Sequence, residues 1–181
     1  MIIVGLDLSL AKTGFVALNE YGDVLTSELI KSKPSGAKPI DETRRILKIA
    51  EEIVKKIDEH TFPEDPQLVV IEGLAFMARN STALVQLSGL NYLVRILLNE
   101  FKWPFIIVAP TSLKKFITQK GNSDKSLMMM TVFKDYGFES MDDNVCDAYS
   151  LAACGLALMG IPLHKLTKPQ QDVVALLKNQ L

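Results

Sequence analysis

The sequence predicts an α/β protein built on one mixed sheet, with three antiparallel strands leading into parallel ones and helices packed on its faces. Three observations carry that prediction. Strand-like runs follow one another through the first 30 residues, then helix-like and strand-like runs alternate. The two later strand candidates, "PQLVVIEG" and "PFIIVAP", are almost wholly apolar, as strands covered on both faces are. Finally, 181 residues with 48% hydrophobic and 23% charged side chains suffice for one sizeable core and are too few for several.

Residues 2–8 form the first β-rich run. After Lys12-Thr13-Gly14, "FVALNE" and then, past Tyr21-Gly22, "DVLTSELI" alternate as paired strands do, giving a three-stranded meander. "SKPSGAKP" is a loop by its Ser, Pro and Gly content, and Asp41 stands where an N-cap would open an amphipathic helix over 42–59. "PQLVVIEG" is a buried strand ending in Glu72, and the leucines at 84, 87, 90 and 93 mark a helix over 80–100. "PFIIVAP" is the next strand. Two short helices follow, "TSLKKFI" opened by Thr111 and "DKSLMMMTVFKDY", then a long one, "DNVCDAYSLAACGLALM". The tail "LTKPQQDVVALLKNQL" is helical with Pro169 at its start.

Twenty basic against twenty-one acidic residues leave a net charge of −1, so any nucleic-acid partner must be held by a local patch. Cys146 and Cys154 sit in an apolar stretch and read as buried small hydrophobes in a reducing compartment. The N-terminus lacks the layout of a signal peptide, and no apolar run approaches the roughly 18 residues of a membrane span. A soluble, cytoplasmic protein of a bacterium or a phage-infected cell is expected.

The acids are placed unusually. Asp7 closes the first strand, Glu72 closes the fourth, and Asp142, Asp143 and Asp147 gather at the start of the long late helix. In such sheets the carboxyl ends of the parallel strands share one rim, where sites are built. Adjacent first and fourth strands would set Asp7 beside Glu72, and positions 143 and 147 emerge from one helix face. Taken singly, each acid has a simpler role: Asp7 as a turn cap, Glu72 as a partner of Arg79, Asp142 or Asp143 as a helix start. Together they repel unless a cation neutralises them, and oxygen donors in that number suit magnesium or manganese. Two such ions can activate water on one side of a phosphodiester and stabilise the leaving oxygen on the other.

Four segments in order, "GLDLSLAKTG", "VVIEGLAFMARN", "APTSLKKFITQKGNSDKS" and "DDNVCDAYSLA", make the chain resemble the RuvC-type Holliday-junction resolvases, a branch of the RNase H-like nucleases. The likeness spans roughly residues 1–160, a nuclease domain to which 161–181 add a helical extension. It implies an RNase H-like mixed five-stranded sheet and makes Asp7, Glu72 and Asp147 metal ligands. Many members place a fourth acid three residues before the last; that position is Asn144, while Asp143 lies four before. Asp143 is taken as the fourth ligand and Asn144 as its neutral alternative. Leu8 and Ser9 replace the family's usual proline and glycine, and the resemblance therefore points to a divergent member of the phage-encoded kind.

By the same resemblance, Lys114 and Lys125 lie near the scissile phosphate, where an ammonium offsets developing charge. Lys114, Lys115, Lys120 and Lys125 are either ordinary solvated positions or a phosphate-facing set around the glycine of "GNS". Phe76 matches an aromatic that wedges at the strand-exchange point; it either stacks on an unpaired base or packs with Met77 over the helix beneath. Arg79 contacts phosphate or caps that helix. The implied activity is magnesium-dependent, structure-selective cutting of four-way DNA junctions by a homodimer with one site per protomer, two ions per site, paired through the helix over 80–100. The alternatives are a junction-binding protein that does not cut and, less well matched, an actin-like ATPase or kinase domain.

Overall fold

The computed structural model describes residues 1–34, 36–60, 67–74 and 82–181. Five strands form one sheet in the order β3-β2-β1-β4-β5. β1 (Ile2–Asp7), β2 (Lys12–Asn19) and β3 (Val24–Lys31) are the antiparallel meander; β4 (Gln67–Glu72) joins β1 in parallel, and β5 (Phe105–Val108) joins β4 in parallel. This is the mixed sheet that the strand pattern predicts, in the arrangement of the RNase H-like fold.

The two faces of the sheet are filled separately. Ile2, Val4 and Leu6 point to one face, where α1 (Pro39–His60) and α2 (Thr82–Glu100) bury Ile49, Ile53, Leu90 and Val94 against them. Ile3, Leu68 and Val70 point to the other, covered by α5 (Asp143–Leu158), whose residues from Ala148 to Leu158 are all buried. A helix buried that completely needs apolar side chains all round, and "AYSLAACGLAL" supplies them with two hydroxyls that are small or tied down; Ser150 Oγ donates to the Cys146 carbonyl at 2.8 Å. Cys146 and Cys154 are buried and unbonded to each other.

Helix starts differ from the expected ones for local reasons. α1 begins at Pro39, and Asp41 lies inside its first turn, where its Oδ2 accepts from the Lys38 N–H at 3.3 Å. α3 (Pro110–Thr118) likewise opens on its proline rather than at Thr111. α4 (Lys125–Tyr136) is capped by Asp124, whose side chain accepts from Leu127 N–H. α6 (Lys168–Leu177) carries a capping box between Thr167 and Gln170. A 3₁₀ turn, Lys178–Gln180, ends the tail, and there the Gln180 amide donates to and accepts from the Ile107 backbone, both at 2.9 Å. The side chain thus closes the open edge of β5. No helix among the described residues is long and apolar enough to cross a membrane.

Candidate active site

Asp7 and Glu72 are the last residues of β1 and β4. The parallel register sets Leu6 against Ile71, so the two acids occupy the next rung side by side. Alternation directs both toward the α5 face, on the same side as Ile3, Leu68 and Val70.

α5 reaches this rim because two glycines leave room for it. A Cβ on Gly5 would lie 1.9 Å from the Ala148 carbonyl oxygen, and one on Gly14 would lie 2.0 Å from that of Asn144. Helix backbone therefore rests directly on strand backbone at both points. That seating delivers Asn144 and Asp147 to the strand ends, where they line a cavity of about 380 Å³ with Asp7, Glu72, Lys114 and Lys125. Three carboxylates distant in sequence thus open into one space.

Their electrostatics are those of crowded, partly dehydrated anions. Burial first, then the charges of Glu72 and Asp147, pushes the Asp7 carboxyl up to about 8. Burial and Asp147 raise Glu72 to about 7, and a hydrogen bond joins the two carboxyls. Burial raises Asp147 to about 6 against the pull of Lys125. Only 8% of the Asp7 surface is exposed, so water supplies little of the missing stabilisation.

The remaining candidates separate. Lys114 and Lys125 line the cavity. Asp143 does not: its carboxylate pairs with Lys125, which holds it below the usual carboxylate range, while Asn144 takes the place in the cavity wall. Asp142 caps α5 by accepting from Asn144 N–H at 3.0 Å and pairs with Lys12. Lys115 points to α6, 3.4 Å from Asp172, and Lys120 is exposed in the turn after α3. Phe76 and Arg79 lie outside the described residues.

Do these residues suit a divalent cation? Among the described residues, no three acid, histidine or cysteine side chains stand in ready-made ligating geometry. The donor chemistry nevertheless fits. Three carboxylates share a buried pocket whose raised proton affinities record a deficit of positive charge, and hard oxygen donors are what magnesium and manganese take. A second sign is Asn91 on α2, which lines the same cavity at 1% exposure with its Oδ1 unpartnered among the described residues.

A family model described as "Crossover junction endodeoxyribonuclease RuvC" matches residues 3–155, from β1 through most of α5. The chain belongs to the RuvC family. The crossover junction endodeoxyribonuclease RuvC of Carboxydothermus hydrogenoformans is 28% identical over 164 residues, covering 88% of this chain and 98% of its own. The solved RuvC of Thermus thermophilus has a TM-score of 0.70 at 18% identity, covering 89% of this chain and 98% of that one, a likeness of fold. The same Thermus protein in complex with a Holliday junction substrate matches with a TM-score of 0.70 at 16% identity, over 89% and 97%.

Within this RuvC-family site, Asn91 is the residue that sequence reasoning missed. Its signal was present: α2 buries Leu90, Asn91, Val94 and Leu98, so an amide stands on an otherwise apolar stripe. Ser9 and Leu8 also line the cavity, which puts the chain's departure from the family's proline and glycine in the wall of the site itself.

Proposed function

We propose that this member of the crossover junction endodeoxyribonuclease family is a magnesium- or manganese-dependent enzyme that resolves four-way DNA junctions by symmetric hydrolysis as a homodimer. The observation that carries the proposal is the convergence of Asp7, Glu72 and Asp147 on one cavity flanked by Lys114 and Lys125. Family membership and the junction complex of the Thermus relative support the substrate.

Asp7, Glu72 and Asp147 would hold the metal, with the Asn144 carbonyl as a neutral fourth donor in the wall where Asp143 was expected. When bound, two such ions activate a water for attack and offset charge on the leaving oxygen. The protein's own part is electrostatic and positional. Lys114 and Lys125 set ammonium groups beside the non-bridging oxygens of a phosphodiester seated over the acids, stabilising charge that grows in the transition state. Asp143 acts through Lys125, fixing the amine where the cavity needs it. Asn91 offers its free Oδ1 to water in the site.

Dimerisation is supported by α2. Val85, Tyr92 and Ile96 stand exposed on one stripe, opposite the buried one. A junction is pseudo-twofold, and a twofold dimer presents two identical sites to it. The test is a synthetic four-way junction and a linear duplex, each mixed with the protein and magnesium. Selective cutting of the junction, lost in Glu72→Gln by about 100-fold or more while binding persists, is the expected result. Equal cutting of both substrates, or full activity in the variant, would refute it; undiminished binding with no cutting by the unaltered protein would make it a junction-binding protein.

A further inference from the structure

A second cavity lies across the sheet from the acids. It is a groove of about 540 Å³ between β3 and α1, lined by six cations against two carboxylates, Glu28 and Glu52. In a chain of net charge −1, that is a strong local concentration. Two of the six are committed inside the protein. Lys56 pairs with Glu28, and the Arg45 guanidinium donates to the Ser32 hydroxyl and to the Leu10 carbonyl at 2.6 Å. The other four, Lys31, Lys33, Arg44 and Lys48, are exposed and have no acidic partner among the described residues.

Their spacing opposes stability. Arg44 and Lys48 are like charges one helical turn apart. That arrangement costs a few tenths of a kcal/mol unless an anion lies between the charges. The groove also opens on the rim that carries the acids. β2 starts and β3 ends where β1 ends, so Lys31 lies two strand spacings, about 10 Å, to the side of Asp7 and two residues, about 7 Å, beyond it. The Leu10 carbonyl held by Arg45 belongs to the same turn as Ser9, which lines the acid cavity. That turn therefore links a residue of the groove to the acid cavity.

We propose that this groove binds the phosphodiester backbone of a duplex arm leaving the cleavage site, about three to five nucleotides from the cut. The distance follows from about 12 Å between Asp7 and Lys31, one helical turn for the spread from Arg44 to Lys48, and roughly 3.4 Å of axis per nucleotide. The proposal rests on the junction-cutting reading above. It makes Lys31, Lys33, Arg44 and Lys48 non-specific phosphate contacts that hold the arm without reading its sequence.

The test combines a variant with modified DNA. Lys31→Gln, Lys33→Gln, Arg44→Gln and Lys48→Gln are made together, sparing Arg45 and Lys56 because their bonds are internal; an unfolding curve like that of the unaltered protein establishes that the variant folds. Binding is measured across a salt series to a four-way junction and to one with neutral methylphosphonates at about three to five nucleotides from the cut. The variant is expected to bind the ordinary junction at least about tenfold more weakly, with a salt slope shallower by about 2 to 3. The methylphosphonates should weaken the unaltered protein similarly and the variant hardly further, because the two changes remove one interaction. Unchanged affinity and slope in the variant, or losses that simply add, would overturn the groove while leaving the nuclease reading intact. Failure of the unaltered protein to bind any junction would overturn both.

Discussion

Asp7, Glu72 and Asp147 tie stability to pH in a direction opposite to that of ordinary surface carboxylates. All three have proton affinities raised in the folded state, Asp7 to about 8 and Glu72 to about 7. At these three sites the folded chain holds more protons than the unfolded one from about pH 4 upward, so their contribution to stability falls as pH rises and levels off above the Asp7 value. The metal-free protein is expected to lose melting temperature between about pH 5 and pH 8. Asp7→Asn should recover at least about 1 kcal/mol at the upper end, near 3 °C for a domain of this size. Magnesium should raise the melting temperature more at pH 8 than at pH 6, because it binds the deprotonated acids. Scanning calorimetry with and without chelator reads all three; a melting temperature flat over this range in the metal-free protein would contradict the raised affinities.

At the level of elements, the site depends on how closely α5 lies on β1. Gly5→Ala puts a methyl 1.9 Å from the Ala148 carbonyl oxygen, and backbone on both sides must give way. Overpacking of this kind costs about 1–3 kcal/mol, and a shift of about 1 Å at Asp147 is worth about 100-fold in rate. Chemical denaturation and single-turnover cleavage should therefore both fall, the rate by more than the stability implies; a variant as active as the parent would show that α5 does not set the acid spacing. Nothing in the sequence around Gly5 announced that contact, since a glycine in a strand leaves no mark on the hydrophobic period. What was legible came from period and punctuation: the strand runs, the amphipathic stripes and the acids that close two apolar strands. Which of Asp143 and Asn144 lines the cavity was not, because offsets of three and four share one helix face. Lys125, eighteen residues back on another helix, draws Asp143 aside, and that is a fact of packing.

The whole molecule must present its site twice if two strands of a junction are to be cut in concert. In the dimer proposed above, α2 is the surface for pairing: Ile96 is 55% exposed and Val85 70% exposed, and Tyr92 lies with them under the Arg95 guanidinium, 5.1 Å from its ring centre. Such a stripe is costly to leave in water and inexpensive to bury against a copy of itself, where each aliphatic side chain contributes about 1.5–3 kcal/mol. Ile96→Glu sets a charge in the middle of that surface without touching the cavity. It should weaken self-association by at least about tenfold, giving monomers in sedimentation velocity at concentrations where the parent is dimeric. Junction products should then change in kind as well as rate, from paired symmetric cuts to single nicks, because each protomer meets the DNA alone. A parent protein that sediments as a monomer at about 10 µM with saturating junction, and still cuts both strands together, would remove α2 from this role and leave symmetric cutting to be arranged by the DNA.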